Sequence, residues 1–300
     1  MSHIPVLEHE VLELLLPERG GVFVDATLGL GGHSLAMLER GGKNLRVIGI
    51  DQDAEAILKS KKRLGKQADY LQGNFGDLKF LLEGRDITQV DGVLMDLGVS
   101  SYQIDTPDRG FSFQEEGPLD MRMDQRGGVT AASILNTWPE HKLSEIFFTY
   151  GEERLGRKLA RLILERRQKR PFTNTMDLAD MIKGAYPPHL RHKHPHPATR
   201  VFQALRIAVN QELDVLEQGI ADALSLLAPE GRLAIISFHS LEDRIVKHRF
   251  REAVTAGGFE LLTKKPIEAT EEERNTNPRS RSAKLRGICR VPGLPIAENF

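Results

Sequence analysis

Among 300 residues there is one cysteine, Cys289, and one tryptophan. A single thiol closes no internal disulfide and builds no cysteine zinc site, so a reducing, cytoplasmic setting is expected. Long apolar runs are missing too. Leu14-Leu15-Leu16 and Leu233-Ala234-Ile235-Ile236 are among the longest, far short of the ~18 residues that suggest a membrane span. The first twenty residues carry Glu8, Glu10 and Glu13 and no basic cluster ahead of an apolar stretch, so no signal peptide is expected. There is no internal repeat and no low-complexity tract. There is also no excess of charge: 41 basic and 42 acidic residues leave a net charge of -1. With 40% hydrophobic and 28% charged residues the chain has an ordinary globular composition, which excludes disorder. Its length suits one large domain, or one domain with an insertion.

Neutral on average, the chain is uneven locally. Residues 154–170 hold Arg154, Arg157, Lys158, Arg161, Arg166, Arg167, Lys169 and Arg170 against Glu165 alone. Residues 279–290 hold Arg279, Arg281, Lys284, Arg286 and Arg290 with no acid. Such blocks are either solvated faces or contacts for a polyanion.

Short β-type runs end in turn or polar residues. Val22-Phe23-Val24 leads into Asp25, residues 45–50 into Asp51, residues 90–95 into Asp96, and residues 232–236 into Ser237. Helical patterns separate them, which predicts a mostly parallel sheet covered on both faces. Residues 259–263 and 284–291 read as a closing antiparallel pair. Residues 102–128 are poor in periodic apolar positions, and a loop that long is usually functional or mobile. Only helical patterns follow. Leu155, Leu159, Leu162 and Ile163 form one stripe, and Thr173 and Thr175 are candidate caps of a helix through Ala185. Residues 102–195 therefore read as a loop plus an all-helical insertion, with residues 1–101 and 196–300 forming the discontinuous α/β core. A single long helical pattern from Val201 to Leu224 returns the chain to the sheet.

The string Asp25-Ala26-Thr27-Leu28-Gly29-Leu30-Gly31-Gly32-His33 joins a strand to a helix. Its glycines permit a tight turn and a close ligand, and the helix start offers free N–H groups to an anion. Asp51, 22 residues after Gly29, can accept both hydroxyls of a ribose. The dinucleotide pattern Gly-x-Gly-x-x-Gly fails at Ser34, which disfavours hydride transfer, whereas the opening Asp25 suits S-adenosylmethionine. Asp96 ends the fourth strand. It could hold an exocyclic amine, contact the cofactor, or merely cap the next turn. His239, after the fifth strand, could touch a flipped base or a phosphate, or serve structure. Gly-x-Ser-x-Gly is absent around it, against a hydrolase elbow. His189, His192, His194 and His196 are broken by Pro195 and Pro197, and no metal is expected there.

Several longer strings carry a resemblance. They are His3-Ile4-Pro5-Val6-Leu7, Gly73-Asn74-Phe75, Met95-Asp96-Leu97-Gly98-Val99-Ser100-Ser101 with Gln103, and Pro118-Leu119-Asp120-Met121-Arg122-Met123. Tyr150-Gly151-Glu152-Glu153-Arg154, Ser237-Phe238-His239-Ser240-Leu241-Glu242-Asp243-Arg244 and Asn277-Pro278-Arg279-Ser280 complete the set. Nearly end to end, the chain resembles the bacterial small-subunit ribosomal RNA cytosine-N4 methyltransferases, the MraW family. The resemblance implies a class I, Rossmann-like α/β methyltransferase fold with a seven-stranded mostly parallel sheet and an all-helical insertion domain for substrate. It implies methyl transfer from S-adenosylmethionine to N4 of a cytosine in 16S ribosomal RNA near the decoding centre, in the assembled small subunit. It also points to a homodimer. Cofactor contacts carry over to Gly31, Gly32, His33, Asp51, Phe75, Asp96 and Gln103, with Asp96 as the catalytic group. Phe75 would lie on the adenine, although the residue alone reads equally well as core. Ser100, Ser101, His239, Arg279 and Arg281 are candidate substrate contacts. A methyltransferase with another acceptor, or an assembly factor that has lost turnover, is the competing reading.

Overall fold

The computed structural model describes residues 4–191 and 195–295. The chain forms two compact units, 1–98 with 213–300 and 99–212.

The first unit is built on one sheet. Its strands are β1 (Gly21–Asp25), β2 (Leu45–Asp51), β3 (Ala68–Gln72), β4 (Val90–Asp96), β5 (Leu227–Ser237), β6 (Phe259–Leu261), β7 (Ile267–Glu268) and β8 (Lys284–Arg290). The order is β3-β2-β1-β4-β5-β8-β6, with β7 also on β8. The first five strands are parallel, and β8 runs antiparallel to β5, β6 and β7. The expected closing pair is therefore present. The count of seven strands is corrected to eight: the outer row along β8 is divided between β6, opposite residues 288–290, and β7, opposite residues 284–285.

Parallel strands buried on both faces need apolar residues at every position, hence the unbroken runs. Along β5, Leu233 and Ile235 enter one core with Ile48, Ile50, Val93 and Met95. Ala234 and Ile236 enter the core on the other face with Phe23, Val47, Leu94 and Leu285. A one-residue slip would exchange these sets, so burial fixes the register.

The second unit is helical around its own core, in which Leu135, Phe147, Leu159, Ile163, Phe172, Ile182 and Phe202 are buried. The boundary expected at 195/196 moves to 212/213. The long pattern is two helices, Thr199–Asn210 and Glu212–Leu226, separated at Gln211 with φ 50°. Val201, Phe202, Ala204 and Leu205 belong to the second unit's core, while Leu216, Ile220 and Leu224 belong to the first unit's. Asn174, rather than either threonine, caps the helix Thr175–Ala185.

Residues 102–128 are pinned. Arg109, 3% exposed, donates to the Arg122 and Met123 carbonyls, and Gly117 and Leu119 pair with residues 173–175. Leu119, Met121 and Met123 are buried, and Asp120 grips Arg122 at 2.7 Å. The Pro-Leu-Asp-Met-Arg-Met string thus contributes to packing within its unit.

Candidate functional site

In a parallel sheet the C-terminal strand ends share one edge, and ligands bind outside it. Asp25, Asp51 and Asp96 stand at the ends of β1, β2 and β4. Asp25 faces Gly49 on one side and Leu94 on the other, so Asp51 and Asp96 each project two residues beyond it. Phe75 follows β3 by three residues and His239 follows β5 by two.

The loop after β1 is fastened to its neighbours. Ala26 N–H donates to the Leu94 carbonyl and Leu28 N–H to the Ile50 carbonyl, both at 2.9 Å. Gly29 N–H donates to Asp51 at 2.8 Å, and the Ser60 hydroxyl holds the Gly29 carbonyl at 2.8 Å. Gly31 has φ 72°, a left-handed conformation that favours glycine. It opens the helix Gly32–Gly41 with no side-chain cap, so the first turn's N–H groups lack that partner. His33 is buried, with Nε2 at 2.9 Å from the Val6 carbonyl and Nδ1 at 3.8 Å from Asp96.

The three carboxyls are electrostatically unusual. Asp25 is 1% exposed and accepts from Ser34 Oγ at 2.7 Å and from Thr27 N–H. Asp51 accepts from Gly29 and Asp53 N–H. Asp96 donates its own N–H to Thr27 Oγ1 at 2.6 Å, and its Oδ1 is buried with no hydrogen-bond partner among the described residues. Desolvation pushes each of the three up to about 6. The His33 ring opposes the shift at Asp96, while the Asp25 and Glu242 charges reinforce it. A buried carboxylate oxygen without a partner is costly in isolation and calls for a donor or a cation.

Phe75 is half-buried and packs against Gly219, where a methyl group would lie 2.6 Å from the ring. Asn74 fixes the turn by accepting from Gly76 N–H at 3.0 Å, and its amide reaches Gln52 at 3.3 Å. One edge of the first unit therefore gathers Gly31, Gly32, His33, Asp51, Phe75 and Asp96. Ser100, Ser101 and Gln103 fall in the second unit. There Ser100 and Gln103 form a reciprocal cap of the helix Ser101–Ile104, and Ser101 Oγ is buried without a partner among the described residues.

His239 caps the helix Ser240–Ala256, with its Nδ1 accepting from Glu242 N–H and its Nε2 3.1 Å from a Glu242 oxygen. Glu242 also accepts from Phe238 N–H, and Asp243 holds Arg286 of β8 at 2.7 Å. Much of the Ser-Phe-His-Ser-Leu-Glu-Asp-Arg string thus anchors a helix start to the sheet. Because Ser237 pairs with Lys284, the turn carrying Arg279 and Arg281 reaches the same edge. Arg281 is exposed and donates to the Arg274 carbonyl at 3.4 Å, while Arg279 is half-buried. His196 accepts from Ala198 N–H and packs on Phe113, and His189 is exposed. His192 and His194 lie outside the described residues. Sequence reasoning did not pick out Thr27, Ser34 as the partner of Asp25, or Gly219 beneath Phe75. Only Thr27, a polar residue inside the glycine string, and Ser34, just after it, gave any signal.

Two nucleoside cofactors suit a glycine loop beside a ribose-binding carboxylate. A dinucleotide brings a pyrophosphate toward three acids, one buried and two half-buried, which is unfavourable. A sulfonium compound brings them positive charge. Fold and electrostatics together describe a class I methyltransferase dependent on S-adenosylmethionine. Comparison with known proteins agrees: a family model described as the MraW methylase family matches residues 1–291. The chain belongs to that family. The "Ribosomal RNA small subunit methyltransferase H" of Trichormus variabilis is 52% identical over 288 residues, covering 95% of this chain and 90% of that protein. The protein of the same name from Trichlorobacter lovleyi is 48% identical over 302 residues, covering 95% and 96%. Among solved structures, NSun6 from Pyrococcus horikoshii superposes with a TM-score of 0.47 at 14% identity, covering 96% of this chain and 52% of that one.

Proposed function

We propose that this methyltransferase methylates N4 of a cytosine in small-subunit ribosomal RNA, near the decoding centre, with the assembled small subunit as its substrate. Similarity to relatives named for that RNA supports the substrate. The observation that carries the chemistry is the unpartnered, buried oxygen of Asp96 at the end of β4. Bound S-adenosylmethionine supplies a methyl group on a positively charged sulfur and leaves as the neutral thioether.

The chain's own residues do the rest. The amides at Gly31, Gly32 and His33 meet the methionine carboxylate. Asp51 takes the ribose hydroxyls, with Gly29 and Asp53 holding its orientation. Phe75 lies on the adenine, and the family resemblance adds Gln103 as a cofactor contact. Asp96 accepts a hydrogen bond from the cytosine amine and turns the nitrogen toward the methyl group. Amine N4 is a weak nucleophile because its lone pair is delocalised into the ring. Close in-line placement is therefore the principal source of rate, worth up to ~7–11 kcal/mol when alignment is near ideal. The surplus proton passes from N4 to solvent water as the C–N bond forms. Asp96 orients the amine in this account, and proton removal by Asp96 itself is secondary. The target base leaves its stack to reach such a site, with Ser100, Ser101 and His239 set against the base and Arg279 and Arg281 against the backbone. A ribosomal substrate implies a cytoplasmic protein, and we propose that it acts there as a homodimer.

The test is methyl transfer from labelled S-adenosylmethionine to small subunits lacking the modification, followed by nucleoside analysis. N4-methylcytidine is the expected product, and label in any other nucleoside refutes the assignment. Asp96→Asn should weaken cofactor binding and, measured at saturating cofactor, lose at least tenfold in turnover. Near-full turnover in that variant removes Asp96 from the chemistry.

A further inference from the structure

Six residues of the basic block at 154–170 divide into two sets once their contacts are known. Arg166 pairs with Asp177, Arg167 donates to the Leu135 and Trp138 carbonyls, and Lys158 donates to the Ala185 carbonyl at 2.6 Å. These three hold helices together. Arg154, Arg157 and Arg161 are exposed, and their side chains make no hydrogen bond or ion pair among the described residues.

Arg157 and Arg161 are unfavourably placed for the helix that carries them. Arg157 lies in the first turn of Gly156–Arg167, whose positive dipole end prefers acids, and that turn holds none. Arg161 follows one turn later, and like charges four apart repel. Beside them stands an aromatic ring. In the Phe147–Phe148 pair, Phe147 is buried and Phe148 is 43% exposed. The Phe148 ring lies over Gly156, where a methyl group would come within 3.2 Å of it. A single exposed phenylalanine is ordinary in itself. An exposed ring at the head of a helix bearing uncompensated arginines is the combination that binds unpaired nucleic acid, with bases on the ring and phosphates on the cations.

We propose that Phe148, Arg154, Arg157 and Arg161 form a docking surface for an unpaired RNA strand, Phe148 stacking a base and the arginines neutralising phosphates. The proposal rests on the reading that the substrate is ribosomal RNA and assigns a face of the second unit to it.

Fluorescence anisotropy of an unstructured RNA of about 12 nucleotides, within the usual single-strand site size, tests it across 50 to 200 mM salt, with a duplex of the same sequence alongside. Neutralising R154Q/R157Q/R161Q should lower the salt slope by about 2, at ~0.7 per phosphate contact on a single strand. F148A should weaken strand binding about fivefold or more and duplex binding far less. R126Q, in a residue already paired with Asp124, should change neither. An unchanged slope in the triple variant, or equal losses on strand and duplex with F148A, overturns the proposal. If the triple variant melts early, R161Q alone carries the same test at a slope change of about 0.7. Methyl transfer by the unaltered protein is measured in parallel. Transfer with an unchanged slope refutes only this surface, whereas strand binding without transfer to small subunits refutes the assigned substrate.

Discussion

Cofactor binding should release protons, and the amount follows from the aspartate cluster. Asp25, Asp51 and Asp96 titrate near 6 in the ligand-free protein, against an ordinary 3.8, because burial disfavours their charge. At pH 6 each is therefore about half protonated. A cationic ligand touching Asp51 and Asp96 favours the charged forms and returns both toward the ordinary range. Two half-protons, or about one proton per cofactor, should then leave at pH 6. Affinity should climb as the pH rises from 5 to 7 and level off above. A carboxyl returned fully from about 6 to 3.8 contributes close to tenfold in affinity over that interval, or about 1.4 kcal/mol. Calorimetric titration at pH 6 in two buffers of different ionisation enthalpy measures the protons directly. S-adenosylhomocysteine, lacking the sulfonium charge, should release fewer. An affinity flat between pH 5 and 7, with binding heats independent of buffer, would refute the electrostatic account of the site.

The same carboxyls affect folding. A raised folded-state value means that their support is greatest below about 3.8 and is withdrawn as the pH rises through about 6, so Asp25→Asn should gain on the natural protein by about 1 kcal/mol between pH 5 and pH 7; urea melts of the two at both pH values check this, and a pH-independent gap contradicts it. Gly219→Ala should push the Phe75 ring from its seat, costing about 1–3 kcal/mol of stability as overpacking does and weakening cofactor binding severalfold; calorimetry alongside a thermal melt separates the two effects, and intact binding would detach Phe75 from the adenine. Asp243→Ala strands Arg286, 8% exposed, as a buried unpaired charge, and a loss of about 3 kcal/mol is expected in urea unfolding.

What could be read in advance was whatever local chemistry forces. Asp25, Asp51 and Asp96 follow β-type runs, and a strand end in a parallel sheet has one meaning for ligands, so the edge they share was legible from the chain. The divided outer row was not: β7 is two residues long and carries no pattern. Nor was the break at Gln211, because Leu205, Val209, Leu213 and Leu216 keep helical spacing across it while Leu205 and Leu216 face two different cores. Periodicity records that a face is apolar and is silent about which interior receives it. Residues 118–123 failed for the converse reason. Leu119, Met121 and Met123 alternate, but the segment is buried through hydrogen bonds to residues far along the chain, which no local pattern announces. His239 reads equally well as a substrate contact or a structural histidine, and the structure shows it at a helix start, accepting from Glu242 N–H.

The break at Gln211 also bears on how the chain is made. The helical unit is one continuous stretch and can complete its interior as it emerges from the ribosome. The sheet cannot. About 130 residues separate the end of β4 from the start of β5, its partner, and at roughly 5–20 residues per second that is a wait of about 7–26 seconds. During it, the open edge of β4, with Val93, Leu94 and Met95 bare, is the part of the nascent protein most exposed to mispairing, and the most suited to shelter by a chaperone.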